Sequence, residues 1–387
     1  MLPSNSITGV GDNNTFEIFG AYAANLLPSI DKVVNVQSIV LDAPIANADF
    51  NTITNIGYTF AKNGVSNYTF DDVSKLNGKT ITTGPGQSLG LSTGSSNLGA
   101  ASDVTWAASA KDASLTLILN GYQGDPSATP AGLTVNGAAA ATTMNIVSSV
   151  DANAIGSFTG PTTVTKHVIT GDQGFKYVLD TPDVAAVTTI DASAATGGVK
   201  ADVSGGTIPA AFAFKGGTGD DTLSLKIGAL ALLTSGSQLT FGAGTDKLII
   251  AEKSTLTSDQ ATKIIAATGL EVLGFSGNTS GADATFVPGI THFSVEAGNL
   301  SETFTNVAAG SMFDIDNSTG NTGTISIAGA TPVTVNIDAK DAASSVTVTA
   351  LTFFSPLLNP TINSLGVSSS ASDANTIAGL TQPAGGS

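Results

Sequence analysis

The sequence contains no cysteine and no arginine. Without cysteine, the 387-residue chain has no disulfide, no zinc–thiolate site and no thiol nucleophile. Its 14 basic residues are all lysines, so the planar guanidinium that grips phosphate groups in a fork is missing. The 30 acidic residues give a net charge of −16, which repels the phosphate backbone of DNA and RNA. We therefore expect no nucleic-acid partner.

Charged residues and long apolar runs are also scarce. Only 11% of residues are charged. An apolar run such as IGALALL (227–233) is far too short to span a bilayer, so we expect no membrane insertion. The first thirty positions lack a basic segment followed by an apolar one, which predicts no N-terminal signal peptide. Secreted bacterial proteins often avoid cysteine, so its absence favours an extracellular location.

Small residues and short alternating runs make up most of what is present. The chain holds 44 glycines, is 41% hydrophobic and has a positive mean hydropathy, which favours a folded chain over a disordered one. Apolar residues recur with a period of two in runs rich in Val, Ile and Thr. These runs lie at 34–42, 114–121, 162–170, 324–329, 333–338 and 344–351. They predict an all-β fold of β-solenoid or β-sandwich-like segments.

Helical patterns are few. The segment 258–273 has apolar residues spaced three and four apart, with Ser258 or Asp259 as a candidate N-cap and Gly269 as a stop. A weaker helical pattern covers 15–30. These two segments are the helical candidates in the sequence.

Domain organisation is only faintly marked. The sequence FTGPTT (158–163) is the best candidate boundary, which predicts one β-rich domain over 1–160 and a second over 161–387. A pattern of strand, Asp-Ala, small residues and strand recurs around Asp42, Asp191 and Asp338, at intervals of 149 and 147 residues. It is either chance in a chain rich in these residues or a set of diverged solenoid turns, in which Asp-Ala ends one strand and starts the next.

Residues 216–224, GGTGDDTLS, fit the nonapeptide of calcium-binding parallel β-rolls at every specified position. Glycines let such a turn adopt positive φ and point its carbonyl oxygens inward. Asp221 adds a carboxylate, which is a hard oxygen ligand, and Leu223 is expected to be buried below the turn. Calcium takes six to eight oxygens, so one turn cannot complete its shell and a second must stack on it.

Residues 241–249, FGAGTDKLI, are the expected second turn, with Phe241 in place of the first glycine. The offset of 25 residues exceeds the roughly eighteen of a regular two-strand turn, so IGALALLTSGSQ (227–238) is expected to hold an extra loop or a longer strand. We predict one calcium ion between the two turns. Side chains of Asp221 and Asp246 and carbonyls of four further residues are the predicted ligands: Gly216, Thr218, Gly242 and Gly244. The alternative is a pair of ordinary glycine-aspartate turns without metal.

With the segments 188–198, 270–277 and 291–307, these two turns resemble bacterial surface-layer (S-layer) proteins that carry RTX, or hemolysin-type, calcium-binding repeats. In that family the turns are followed by a strand of pattern G-Φ-E-x-Φ, matched here by Gly269, Leu270, Glu271 and Leu273. The resemblance covers about residues 185–350. It implies an exported, calcium-dependent protein at the bacterial cell surface that assembles with copies of itself. Only two turns are recognisable, and no anchoring segment for a cell-surface polysaccharide is identified.

Catalytic motifs are present only in weak form. The sequence GQSLG (86–90) satisfies G-x-S-x-G with Ser88 as nucleophile, but loop-like sequence follows it where a helix is needed. The two histidines, His167 and His292, lie in strand-like sequence, where structural roles are commoner. Trp106 is expected in the core.

Paired acids are the other candidates for chemistry. Asp71–Asp72, or Asp314 with Asp316, could serve a glycosidase, and the second pair could form a further calcium site. Exposed surface carboxylates are the simpler interpretation.

The sequence therefore predicts a structural protein and no enzyme. The first hypothesis is a subunit, or fragment, of a calcium-dependent planar surface layer. The second is the stalk of a secreted RTX-type adhesin, and the third is an exported hydrolase with a short calcium β-roll.

Overall fold

A computed structural model gives the structure of the protein. It describes residues 7–18, 33–41, 58–60, 67–70, 78–92, 103–122, 132–234, 238–252, 256–277, 281–296, 301–316, 321–338, 346–354, 360–364 and 375–383. Almost all regular structure is β, and parallel sheets form a β-solenoid of about ten turns. The all-β prediction is confirmed, and of its two forms the solenoid is the one adopted.

The chain divides into two compact units. The first comprises residues 1–201 with 217–219, and the second comprises 202–216 with 220–387. The division predicted from the sequence near residue 160 remains a prediction.

The first unit holds two long parallel sheets and a two-stranded one. Its strands are β1 (Ile7–Thr8), β2 (Thr15–Ile18), β3 (Val33–Val34), β4 (Ser38–Leu41), β5 (Tyr58–Phe60), β6 (Asn67–Phe70), β7 (Lys79–Thr83), β8 (Ser88–Ser92), β9 (Val104–Ala108), β10 (Ser114–Asn120), β11 (Gly132–Gly137), β12 (Thr143–Ser149), β13 (Asn153–Thr159), β14 (Lys166–Gly171), β15 (Phe175–Leu179), β16 (Thr189–Ala195) and β17 (Val199–Asp202). Even-numbered strands from β2 to β16 form one long sheet, and odd-numbered strands from β5 to β17 form the other. Successive strands thus alternate between sheets, as a solenoid requires. The short helix α1 (Thr181–Ala186) follows β15.

In the second unit, most successive strands also lie in different sheets. Its strands are β18 (Ala213–Lys215), β19 (Thr222–Leu225), β20 (Leu239–Thr240), β21 (Lys247–Ile250), β22 (Val272–Phe275), β23 (Gly281–Asp283), β24 (His292–Val295), β25 (Glu302–Val307), β26 (Ser311–Asp316), β27 (Asn321–Gly329), β28 (Val333–Asp338), β29 (Thr347–Phe354), β30 (Thr361–Ser364), β31 (Thr376–Ile377) and β32 (Leu380–Thr381). Strands β21 and β22, however, are neighbours in the same sheet. Helices α2 (Ile227–Leu232) and α3 (Ser258–Ile265) follow β19 and β21, and a 3₁₀ turn (Ala284–Phe286) follows β23. No described helix is long and apolar enough to cross a membrane.

The core lies between the sheets and is filled by alternate residues of each strand. On β10, Leu115, Leu117 and Leu119 are buried, and the residues between them are partly exposed. Parallel pairing places inward-facing residues of neighbouring strands side by side, so Leu117 lies beside Ile146 of β12. Fully burying such a side chain stabilises the fold by roughly 1.5–3 kcal/mol. Period-two alternation in the sequence therefore becomes a continuous apolar column.

The strand predictions hold with shifted ends. The run 333–338 is β28, and 114–121 contains β10. The run 162–170 begins too early, because the amide of Val164 bonds to the carbonyl of Pro161 (2.9 Å) in a turn and the strand starts at Lys166.

Three predictions of local structure need correction. α3 is shorter than 258–273, and its N-cap is Thr257, whose side chain forms a reciprocal capping box with Gln260. The helix predicted at 15–30 is wrong for its first residues, because Thr15–Ile18 is a strand that pairs with β4. Residues 19–30 lie outside the described residues. The residues 227–238 predicted as a loop or longer strand instead contain α2.

The Asp-Ala repeat marks strand ends only in part. Asp338 is the last residue of β28, as predicted, whereas Asp191 lies within β16 and Asp42 lies outside the described residues. The period of the fold is much shorter than 147 residues. Leu115 pairs with Met144, 29 residues later, and Phe293 pairs with Phe313, 20 residues later.

Candidate metal centre

The two glycine-aspartate turns occupy equivalent places in successive rungs of the solenoid. The first precedes β19 and the second precedes β21, and Leu223 pairs with Leu248 in the parallel ladder. Both leucines are fully buried, as predicted for the residue below each turn. Of the six predicted ligands, Thr218 belongs to the first unit. The other five, Gly216, Asp221, Gly242, Gly244 and Asp246, belong to the second.

The glycines of the two turns serve different purposes. Gly242 and Gly244 have φ of +104° and +141°, as the motif predicts. Gly216 is not in that region, but a side chain there would collide with the carbonyl oxygen of Phe241 and with the Asp221 carboxylate. Gly217, within the first unit, would likewise collide with the carbonyl oxygen of Ala195. The first turn therefore needs glycine for close backbone packing and not for positive φ.

A column of carboxylates runs along this corner at a spacing of 25 residues. Oδ1 of Asp246 accepts a hydrogen bond from the amide of Asp221 (2.7 Å). Oε2 of Glu271 accepts one from the amide of Asp246 (2.9 Å). Beside the column, Oδ1 of Asp220 accepts from the amide of Thr245 (2.7 Å). In the first two bonds, a carboxylate caps the peptide one rung earlier in the chain.

Asp246 is the least satisfied member of the column. Both Asp221 and Asp246 have fully buried side chains. Oδ2 of Asp246 is buried and has no hydrogen-bond partner among the described residues. Burial, together with the negative charges of Asp221, Glu271 and Asp220, raises the pKa of Asp246 to about 7. A carboxylate in that environment favours binding a proton or a cation.

The chemical type of the predicted donors suits a hard cation. It consists of carboxylate and carbonyl oxygens, which calcium prefers, and the turn 242–245 that carries two of the predicted carbonyls is exposed. Within the described residues, however, no three or more His, Asp or Glu side chains are grouped closely enough to hold a metal. Any calcium here would therefore take most of its ligands from backbone oxygens and water.

Glu271 is the functional candidate that motif reasoning missed. By motif, Glu271 belongs only to the strand pattern G-Φ-E-x-Φ that follows the turns. The signal that identifies it is the equal spacing of residues 221, 246 and 271.

The residues considered for catalysis are dispersed. Ser88 is the first residue of strand β8, whereas a G-x-S-x-G nucleophile lies between a strand and a helix. His167 is fully buried on β14, with its Nδ1 3.5 Å from the Tyr177 hydroxyl. Trp106 is in the core as predicted, and its indole donates to Oγ1 of Thr83 (2.9 Å). Asp71 and Asp72 lie outside the described residues.

The outer face of the β24–β30 sheet carries a polar ladder. Nε2 of His292 lies 2.6 Å from Oδ2 of Asp314, and Asn336 donates to Oδ1 of the same carboxylate (2.8 Å). Asn363 continues the ladder by donating to Asn336 (3.0 Å). Hydrogen bonds from His292 and Asn336 lower the pKa of Asp314 despite its partial burial. The Asp314 carboxylate is thus satisfied by protein groups. The side chain of Asp316 is not among those that the structure describes.

No family model, curated protein or solved structure matches this chain. The fold and the geometry of the carboxylate column therefore carry the functional argument.

Proposed function

We propose that this protein is a structural subunit, or a fragment of one, of a calcium-dependent surface layer that assembles from copies of itself on a bacterial cell. The observation that carries the proposal is the carboxylate column at the predicted calcium turns, with the buried, unpartnered Oδ2 of Asp246 at its centre.

The fold is compatible with a repeat-based structural protein. Each rung of a solenoid packs only on its neighbours, so extended regular surfaces form without a large globular core. The described part of the chain is built of such rungs almost throughout. This supports a structural role, and the extracellular location remains a prediction from composition.

Charge supports a requirement for cations. At −16, identical subunits repel one another, and that repulsion opposes contact between copies. A cation bound only by the folded state removes part of this charge and stabilises that state, by about 2.7 kcal/mol when its concentration is 100 times its dissociation constant. Calcium would thus link folding to assembly. A cell-surface polysaccharide is a further proposed partner, through regions that are not identified.

The adhesin-stalk hypothesis uses the same solenoid and the same calcium turns, so only the assembled state separates it from a lattice. The hydrolase hypothesis has less support, because Ser88 begins a strand and His167 is enclosed in the core.

Negative-stain electron microscopy tests the proposal. The purified chain is imaged in millimolar calcium, after chelation, and after calcium is restored. We expect ordered sheets that disappear on chelation and return with calcium. Asp246→Asn should fail to form sheets at calcium concentrations that suffice for the wild type.

The matched control is Asp259→Asn, an exposed carboxylate on α3 away from the column. It should assemble like the wild type. Separate calcium-dependent rods would favour the stalk instead, and particles unaffected by calcium would refute the calcium role of the turns.

A further inference from the structure

A second pair of carboxylates lies in the first unit, where β13 ends and α1 begins. The carboxylate of Asp180 accepts hydrogen bonds from the hydroxyl of Ser157 (2.8 Å) and from the hydroxyl of Thr159. Asp180 precedes α1, but its side chain does not cap the helix. It is turned instead toward the last residues of β13.

Asp183, one helical turn later, reaches the same segment. Its Oδ1 accepts a hydrogen bond from the amide of Gly160 (2.9 Å). Its side chain is only 2% exposed, and its Oδ2 is buried with no hydrogen-bond partner among the described residues. Hydrogen bonds therefore join the two carboxylates to Ser157, Thr159 and Gly160, and one carboxylate keeps an oxygen that has no donor among the described residues.

No described lysine or histidine neutralises this pair. Neither Asp180 nor Asp183 forms an ion pair in the described part of the chain. Burial and the charge of Asp180 raise the pKa of Asp183 to about 6, although the Gly160 amide opposes that rise. The corner therefore holds two carboxylates without a cationic partner among the described residues, and one of them, Asp183, is buried. A buried charge is costly unless it is paired or coordinates a metal.

We propose that Asp180 and Asp183, with the hydroxyl oxygens of Ser157 and Thr159, form a calcium-binding site that is separate from the glycine-aspartate turns. Oδ2 of Asp183 is the open ligand position. The site uses no residue of the nonapeptide motif, so it does not depend on the proposed function.

The chemistry of the donors selects the cation. All are oxygens, with no nitrogen or sulfur ligand, which favours calcium or magnesium over zinc and copper. The donors come from the end of β13, from the residue that precedes α1 and from α1 itself. Calcium accepts flexible coordination by such separate segments, whereas magnesium demands a near-ideal octahedron.

The test counts calcium bound by the full chain in calorimetric titrations at pH 7.5, where Asp183 is ionised. An Asp246→Asn background removes the central carboxylate of the turns. We expect this variant to bind one calcium ion that Asp246→Asn/Asp183→Asn does not bind. The matched control adds Asp151→Asn, an exposed carboxylate whose one hydrogen bond among the described residues comes from the adjacent Ala152 amide (2.7 Å), and should retain the ion.

A second variant covers the case in which loss of Asp183 prevents folding. Asp246→Asn/Thr159→Val keeps both carboxylates of the corner and removes one hydroxyl, so calcium should bind about tenfold more weakly. The proposal is overturned if the Asp246→Asn variant binds no calcium, or if adding Asp183→Asn leaves the number of bound ions unchanged. It is also overturned if Asp183 titrates near pH 6 by carbon-detected NMR with no shift on adding calcium, since a proton alone then occupies the corner.

Discussion

His167 shows how strongly a single buried residue can tie this fold to pH. Its ring lies at the edge of Phe158 (centroids 5.3 Å apart) and beside Tyr177, inside the core of the first unit. Nε2 has no hydrogen-bond partner among the described residues. Burial lowers the pKa of His167 from 6.5 to about 4. The neutral ring is thus favoured in the folded state and the protonated ring in the unfolded state.

Acid should therefore destabilise the wild type more than His167→Leu. The stability that the neutral ring contributes is present above pH 6.5 and is lost as pH falls toward 4, which amounts to about 3 kcal/mol. Urea unfolding of both proteins between pH 7 and pH 4 measures this difference, and carboxylate effects common to both cancel. Parallel pH profiles would contradict the assignment.

We expect calcium to reverse the order of stability of the wild type and Asp246→Asn. Without calcium above pH 7, Asp246→Asn should be at least as stable as the wild type, because it removes a buried charge that neighbouring carboxylates repel. In saturating calcium the wild type should be the more stable by about 2.7 kcal/mol or more, if the ion exceeds its dissociation constant 100-fold. Thermal unfolding with and without chelator checks both halves. A variant less stable under both conditions would assign Asp246 a purely structural role.

At the scale of elements, glycine positions divide into those that the solenoid requires and those that it tolerates. Gly281 begins β23 with φ of +144°, and a side chain there would collide with the carbonyl oxygen of Thr303 on the paired strand. Gly228 lies exposed in α2 with open space around its Cα. The same substitution should therefore act in opposite directions at the two sites.

Gly281→Ala should cost more than about 1 kcal/mol, whereas Gly228→Ala should stabilise by roughly 0.5–1 kcal/mol, because alanine is the better helix former. Chemical denaturation of both variants, in the same unit and buffer, gives the comparison. Equal effects at the two sites would contradict the backbone geometry at Gly281.

How far the sequence predicts these elements depends on which interactions decide them. Strands such as β10 and β28 follow from local alternation of apolar and polar residues, and they were predicted nearly end to end. The N-cap at Thr257 depends on a reciprocal pair of hydrogen bonds with Gln260, and β2 depends on pairing with β4. Hydrophobic periodicity reveals neither interaction.

The candidate site was predictable to the same degree. The nonapeptide located Asp221 and Asp246, and the register of β19 with β21 stacks their turns. The role of Glu271 depends on three rungs having equal length, which becomes clear only once strands are paired. Asp183 gives no motif at all, because its surroundings are assembled from β13 and α1.

For the whole molecule, stacking of rungs makes stability local. In the second unit, Phe304 is fully buried and its ring contacts those of Phe275, Phe293 and Phe313, with centroids 5.0–5.6 Å apart. Each ring belongs to a different strand of adjoining rungs. In such a fold, a defect weakens its neighbours first and distant rungs least.

Phe304→Ala should cost about 3–5 kcal/mol, since it leaves a cavity among these rings. Hydrogen exchange followed by mass spectrometry should show faster exchange in β22–β28 and little change in β10–β16 of the first unit. Phe354→Ala, at a residue that is 50% exposed on β29, is the matched control and should change little. A uniform loss of protection along the chain would show that the solenoid unfolds as one block.

The unequal rung lengths leave this architecture open to insertions. One rung passes from Phe293 to Phe313 in 20 residues, while another passes from Leu115 to Met144 in 29, yet both meet their neighbours in the same parallel register. A corner can hold a whole additional element, as it holds α2 between β19 and β20. Evolution can therefore lengthen or shorten a corner without disturbing the ladder. An engineer could use the same freedom to graft a foreign peptide at such a corner while the ladder stays intact.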